Sequence, residues 1–136
     1  MNEADLSANL KRACERAMPH CLALKHAERA NRAYPDHSVT WGKFTSWWEV
    51  KFYNGRMFES PADQEIMCKR LSQQGVCYYI IFEQRKERRT LIVKPFELGA
   101  WQTAPADFKE GFDYDWVAQF IKHEHLYWSG GKSVDV

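Results

Sequence analysis

The stretch "VCYYIIFE", residues 76–83, constrains the fold more than any other part of the chain. It is a near-continuous run of β-branched, aromatic and aliphatic residues, too short for a typical helix and without the alternation of a half-exposed strand. Such a run suits a central strand covered on both faces. A sheet buried on both sides needs a layer of helices on each.

The rest of the chain supplies those layers. Leu6, Leu10, Cys14 and Ala17 recur at helical spacing, with Lys11, Arg12, Glu15 and Arg16 mostly off that stripe, and Pro19 closes the segment. Glu3 shares the inward stripe. Residues 21–36 begin with a possible short strand and continue as a basic loop carrying Lys25, His26, Arg29 and Arg32. Val39 and Trp41 end one strand, Gly42-Lys43 turns, and Phe44 to Tyr53 returns as a hairpin partner. A helix follows, with Ser60 as N-cap, Pro61 at its first position, and Asp63 and Glu65 at the positive end of its dipole. Met67, Cys68 and Leu71 form its apolar stripe, Gln64 shares that stripe, and Gly75 stops it. After the central strand, "QRKERR" is a charged turn and "TLIVKP" a further strand. Residues 96–111 read as irregular. Asp113 caps a last helix with Trp116, Val117, Phe120 and Ile121, and 129–136 form a flexible tail. The expectation is one α/β domain over 1–128, a mixed central sheet flanked by helices.

Charge and composition exclude several classes. The formal net charge is +1, so no whole-chain field selects nucleic acid or membrane, and a basic surface must be local. No apolar run approaches the ~20 residues of a membrane helix. The N-terminal segment lacks a signal-peptide pattern, and cytoplasmic residence is expected. The four cysteines match no zinc spacing and read as buried free thiols suited to a reducing compartment. His123-Glu124-His125 reads as a solvated helix end rather than a metal site, and Trp101, Trp116, Tyr127 and Trp128 as core or interface aromatics.

The unusual feature is "SWWEVKFYNG", residues 46–55. Side chains alternate along a strand, so Trp48, Val50 and Phe52 share one face and Trp47, Glu49 and Lys51 the other. Glu49 and Lys51 then stand about 7 Å apart along the strand. Pro35-Asp36 precedes the hairpin, whose pairing would carry Asp36 toward Glu49. Two carboxylates beside a lysine suit a Mg²⁺ ion held over a phosphate, because Mg²⁺ prefers hard oxygen ligands.

Pro35-Asp36, Glu49-Val50-Lys51, the inward Gln64 and the Gly-led strand after it together resemble the PD-(D/E)XK nuclease superfamily, with its restriction-endonuclease-like fold, over about residues 3–95. The "PD…W.EVK" core followed by Ser60 and Gln64 is similar to the VRR-Nuc branch. The helix glutamine and the approach to the next strand are similar to the Holliday-junction resolvases. The long loop of the family's substrate-binding region has no obvious counterpart. The resemblance implies Asp36, Glu49 and the Val50 carbonyl as Mg²⁺ ligands, with Mn²⁺ as a substitute. It implies Lys51 as the catalytic lysine, and Gln64 as a holder of Lys51 or of a metal-bound water. Glu3 would act in the second coordination shell, with Glu15 as a lower-ranked alternative. It further implies in-line hydrolysis of a phosphodiester leaving a 5′-phosphate, branched DNA as substrate, and a homodimer to cut two strands. Lys25, Arg29, Arg32, Arg85, Lys86, Arg88 and Arg89 are the candidate DNA contacts. Two other readings stand beside the enzyme: a non-catalytic nucleic-acid-binding module, and a subunit of a recombination or phage-replication assembly.

Overall fold

The computed structural model describes residues 3–26, 33–103 and 107–129, the Glu3 side chain excepted. In chain order the elements are α1 (Glu3–Ala17), β1 (Leu22–Lys25), β2 (His37–Trp41), β3 (Phe44–Tyr53), α2 (Ala62–Gln74), β4 (Cys77–Gln84), β5 (Arg88–Val93), a 3₁₀ segment (Pro95–Ala100), β6 (Asp107–Glu110) and α3 (Tyr114–Trp128). Six strands form one sheet in sequence order. Every neighbouring pair is antiparallel except β3 and β4, which run parallel because α2 carries the chain back between them. The expected mixed α/β sheet with helices on both faces is what the chain forms.

The β2–β3 hairpin turns on Gly42 and Lys43, with φ of 61° and 65°. Two successive left-handed residues match the twist of the flanking strands, and glycine takes the first at little steric cost. This turn sets the register Trp41↔Phe44 through His37↔Trp48. One more ladder step places Asp36 opposite Glu49.

The parity read in the sequence separates two cores. Trp48, Val50, Ile80 and Phe82 point to one face and pack with Leu6, Leu10 and Cys14 of α1 and Val117 and Ile121 of α3. Tyr53, Tyr79, Ile81, Leu91 and Val93 point to the other and pack with Cys68 of α2 and with Leu98 and Trp101 around the 3₁₀ segment. Ile80, Ile81 and Phe82 are all fully buried, as a strand covered on both faces requires. α3 starts at Asp113, whose Oδ1 accepts the Trp116 N–H at 2.9 Å, a cap worth about 1 kcal/mol.

Several expectations are corrected. Pro61, not Ser60, occupies the cap position of α2, no side chain caps it, and the Ser60 hydroxyl is buried without a partner. Proline lacks an N–H, so it can stand where the helix has no acceptor to offer. The buried stripe of α2 runs through Gln64 and Cys68, with Met67 only half-buried. β5 begins at Arg88, so Arg88 and Arg89 are ladder residues rather than part of a turn. Residues 107–110 form β6, an exposed edge strand paired with β5, where an irregular segment was expected. His125 is no solvated helix end. It is 1% exposed, with Nε2 2.8 Å from Ser46 Oγ and Nδ1 3.2 Å from the Trp41 carbonyl. Trp101 is buried in the core, whereas Tyr127 and Trp128 are exposed. Cys14, Cys68 and Cys77 are buried free thiols and Cys21 is half-buried. The tail at 130–136 lies outside the described residues.

Candidate active site

β3 delivers Glu49 and Lys51 to the face covered by α2. Both are buried, at 4% and 8% exposure. A buried Glu and Lys are uncommon unless each is paired, and here they are: Lys51 Nζ lies 3.1 Å from Glu49 Oε2. Lys51 also donates to the Glu59 carbonyl at 2.8 Å and sits 5.9 Å from the Phe58 ring centroid. The β3–α2 connection therefore closes over the ammonium. Two of its three protons are engaged, and one is left for a further acceptor.

The hairpin register brings Asp36 to the same place. The Asp36 backbone N–H donates to Glu49 Oε1 at 2.8 Å, and Asp36 Oδ1 accepts from the Val50 N–H at 3.1 Å. His37 Nδ1 lies 2.5 Å from the same Oδ1. The Asp36 side chain keeps 24% exposure, so it forms the open end of a site whose inner wall is Glu49 and Lys51. Asp36 Oδ2 receives no hydrogen bond among the described residues.

The electrostatics follow from this crowding. Burial pushes the Glu49 carboxyl up to about 7, and the negative charge of Asp36 adds to the rise. Lys51 and the Asp36 N–H offset only part of it. A second positive charge at this point would relieve both carboxylates. The α2 stripe covers this face, with Cys68 in one cluster with Tyr79, the β4 neighbour of Glu49. Gln64 stands one turn before Cys68 on that stripe, 7% exposed, its Oε1 buried without a partner among the described residues. An orphaned amide oxygen and two adjoining carboxylates are a hard-oxygen donor set of the kind Mg²⁺ takes, so the residues present fit that ion. Among the described residues no group of three or more His, Cys, Asp or Glu side chains is placed to hold a metal ion. A cation on the two carboxylates would take its remaining ligands from carbonyls, water and substrate oxygens.

Two neighbours were not singled out in the sequence. Tyr79 lies opposite Glu49 on β4, fully buried, its hydroxyl without a partner among the described residues. Glu83, 4% exposed at the end of the same strand face, pairs with Arg89 at 2.9 Å, and its Oε2 has no partner among the described residues. The available signal was parity: Cys77, Tyr79, Ile81 and Glu83 alternate onto the α2 face, and an acid there needs a partner.

The candidate DNA contacts divide. Arg85 stacks over Tyr53 and Arg89 over Phe108, on the α2 face beyond Lys51. Arg88 stacks over Phe112. Arg89 also spends its charge on Glu83. Lys86, exposed on the turn, completes this group. Lys25 is not brought to the carboxylates. It pairs with His37 on β2, and that register directs it to the α1 face. His26, by contrast, lies on the site face, its Nε2 2.6 Å from Ser38 Oγ and its ring 5.6 Å from that of Trp47. Arg29, Arg32 and the Glu3 side chain lie outside the described residues. Glu15 is exposed on α1, off the buried stripe.

Compared with protein-family models, curated proteins and solved structures, the chain has no match. Among the described residues no helix is long and apolar enough to cross a membrane.

Proposed function

We propose that this chain is a Mg²⁺-dependent endonuclease that hydrolyses phosphodiester bonds in branched DNA, acting as a homodimer. The reading combines the resemblance to the PD-(D/E)XK superfamily with one structural observation. Asp36, just before β2, meets Glu49 and Lys51 of β3 at a point where the last two are buried and Asp36 stays partly exposed. An ordinary surface salt bridge has no such second carboxylate and no such burial. The element order that carries the resemblance, an opening helix, a hairpin, a helix and a Gly-led central strand, is present.

In this reading Asp36, Glu49 and the Val50 carbonyl would hold the cation. The chemistry the cation supplies is polarisation of a phosphoryl oxygen and a lower pKa for water. The free proton of Lys51 meets negative charge as it develops on the phosphoryl oxygens, in a site from which α2 excludes bulk water. Gln64, whose Oε1 has no partner among the described residues, would hold a water on the cation. Arg85 and Lys86 hold the DNA backbone in register, whereas Arg88, over Phe112, lies on the α1–α3 face. Tyr127 and Trp128, 76% and 50% exposed at the end of α3, offer an apolar surface for a second copy.

The test is cleavage of a labelled four-way junction, a flap and a plain duplex with Mg²⁺, comparing wild type with Lys51→Ala and including EDTA. Junction cleavage lost on chelation and in Lys51→Ala supports the reading. Asp36→Asn, at the more open position, gives the same loss without burying an unpaired charge. Binding of the junction without cutting, in Mg²⁺ and in Mn²⁺, would instead make the chain a non-catalytic nucleic-acid-binding module, with Glu49 and Lys51 a structural ion pair.

A further inference from the structure

A second feature lies on the other face of the sheet. Between α1 and the β1–β2 hairpin is a cavity of ≈ 220 Å³, walled by Leu10, Val39, Trp48 and Ile121. A cavity of ~150 Å³ with similar walls holds a benzene ring, so this one has room for a single ring or a short branched chain. Its rim is low: Ala4 and Ala8 of α1 and Leu24 of β1 are exposed.

Lys11, Lys25 and Ser38 also line this mostly apolar space, but two other polar side chains there lack a hydrogen-bond partner among the described residues: Ser7, 5% exposed, at Oγ, and His37, 7% exposed, at Nε2. Buried polar atoms are normally hydrogen-bonded, so two turned toward one cavity point to a polar group on its occupant. The required chemistry follows from hydrogen-bond roles. A hydroxyl suits both atoms: it can donate to Nε2 of the neutral ring or accept from Nε2–H of the protonated one, and it can accept from or donate to Ser7 Oγ.

We propose that this cavity binds a small apolar molecule bearing a single hydroxyl, held between Ser7 and His37. Binding is read at the opposite face through the His37–Asp36 hydrogen bond. The cavity and its partners are independent of the nuclease reading.

The test uses phenol as probe and toluene as the shape control without a hydroxyl, on the full chain, without DNA or divalent cation. Calorimetric titration is expected to give saturable phenol binding about tenfold tighter than toluene, the worth of a hydrogen bond to an otherwise unsatisfied group. The ¹⁵N resonance of the His37 ring is expected to shift as phenol saturates. Ser7→Ala removes an unsatisfied hydroxyl, so it should fold at least as stably as wild type while losing the preference for phenol. Ala8→Leu, at the exposed rim, should close the cavity to both probes. The proposal is overturned if phenol does not saturate, if phenol and toluene bind alike with Ser7→Ala without effect, or if phenol binding survives Ala8→Leu.

Discussion

The backbone amide of Asp36 donates to the side chain of Glu49 across 2.8 Å, although thirteen residues separate the two. That bond ties the mouth of β2 to the middle of β3 and makes the Glu49 carboxylate share space with a second one. It also fixes which side of the sheet the pair occupies, because a one-residue slip of the hairpin would send Asp36 to the α1 face.

The first consequence is a pH dependence. Glu49 titrates near 7 in the folded chain against an ordinary 4.5. Its folded-state pKa is raised, so its contribution to stability is full below pH 4.5 and is lost as pH rises to about 7, a loss of about 3 kcal/mol. Carbon-detected NMR of the Glu49 carboxyl is expected to show the raised midpoint, and Mg²⁺ is expected to lower it. A midpoint near 4.5 without the cation would contradict the burial argument.

Gln64 separates stability from function. Its Oε1 is buried and unpaired. Gln64→Met is therefore expected to stabilise the chain by about 1 kcal/mol in urea titration. If Gln64 Oε1 holds a water on the cation, the same change lowers cleavage by about 10- to 100-fold, as loss of an outer-shell partner does.

Arg89 neutralises Glu83 at the far end of the site face. Arg89→Met leaves a buried carboxylate with no partner, at a cost of about 3 kcal/mol. The double variant Glu83→Leu with Arg89→Met should recover most of that loss, since an apolar pair replaces the charges. A double variant as unstable as the single would show that the ion pair does more than neutralise itself. Denaturant midpoints at constant slope decide the matter.

The more open cations should act on DNA electrostatically. Arg85→Ala and Lys86→Ala are each expected to lower the salt slope of junction binding by about 1 and to weaken binding to all DNA forms alike. Fluorescence anisotropy over a salt series measures this.

His125 gives a second, opposite pH dependence. Burial holds its imidazole below the ordinary 6.5, only partly offset by backbone acceptors. The unfolded chain takes up this proton first. Stability from His125 is thus present above pH 6.5 and lost as pH falls below it. Thermal unfolding across this range is expected to show the decline in wild type and not in His125→Gln.

Residue parity and local signals were enough to place much of the fold. "VCYYIIFE" needed cover on both faces, and α1, α2 and α3 supply it. Gly42-Lys43 placed the hairpin turn, Asp113 the last helix, and the alternation of β3 put Glu49 and Lys51 on one side. These are short-range properties, fixed by strand and helix periods and by capping chemistry. β6 was not legible, because its four residues are all exposed and carry no apolar alternation; only the free edge of β5 makes them a strand. The burial of His125 was not legible either, because its partners, Ser46 and Trp41, are 79 and 84 residues away. Nor was the division of the basic residues: the sequence shows basic clusters, while the β4–β5 register commits Arg89 to Glu83 and the β1–β2 register sends Lys25 to the opposite face from the carboxylates. The sequence by itself determined which side chains share a face. The tertiary structure decided which of them meet, because burial and pairing depend on register and packing between segments that periodicity does not connect.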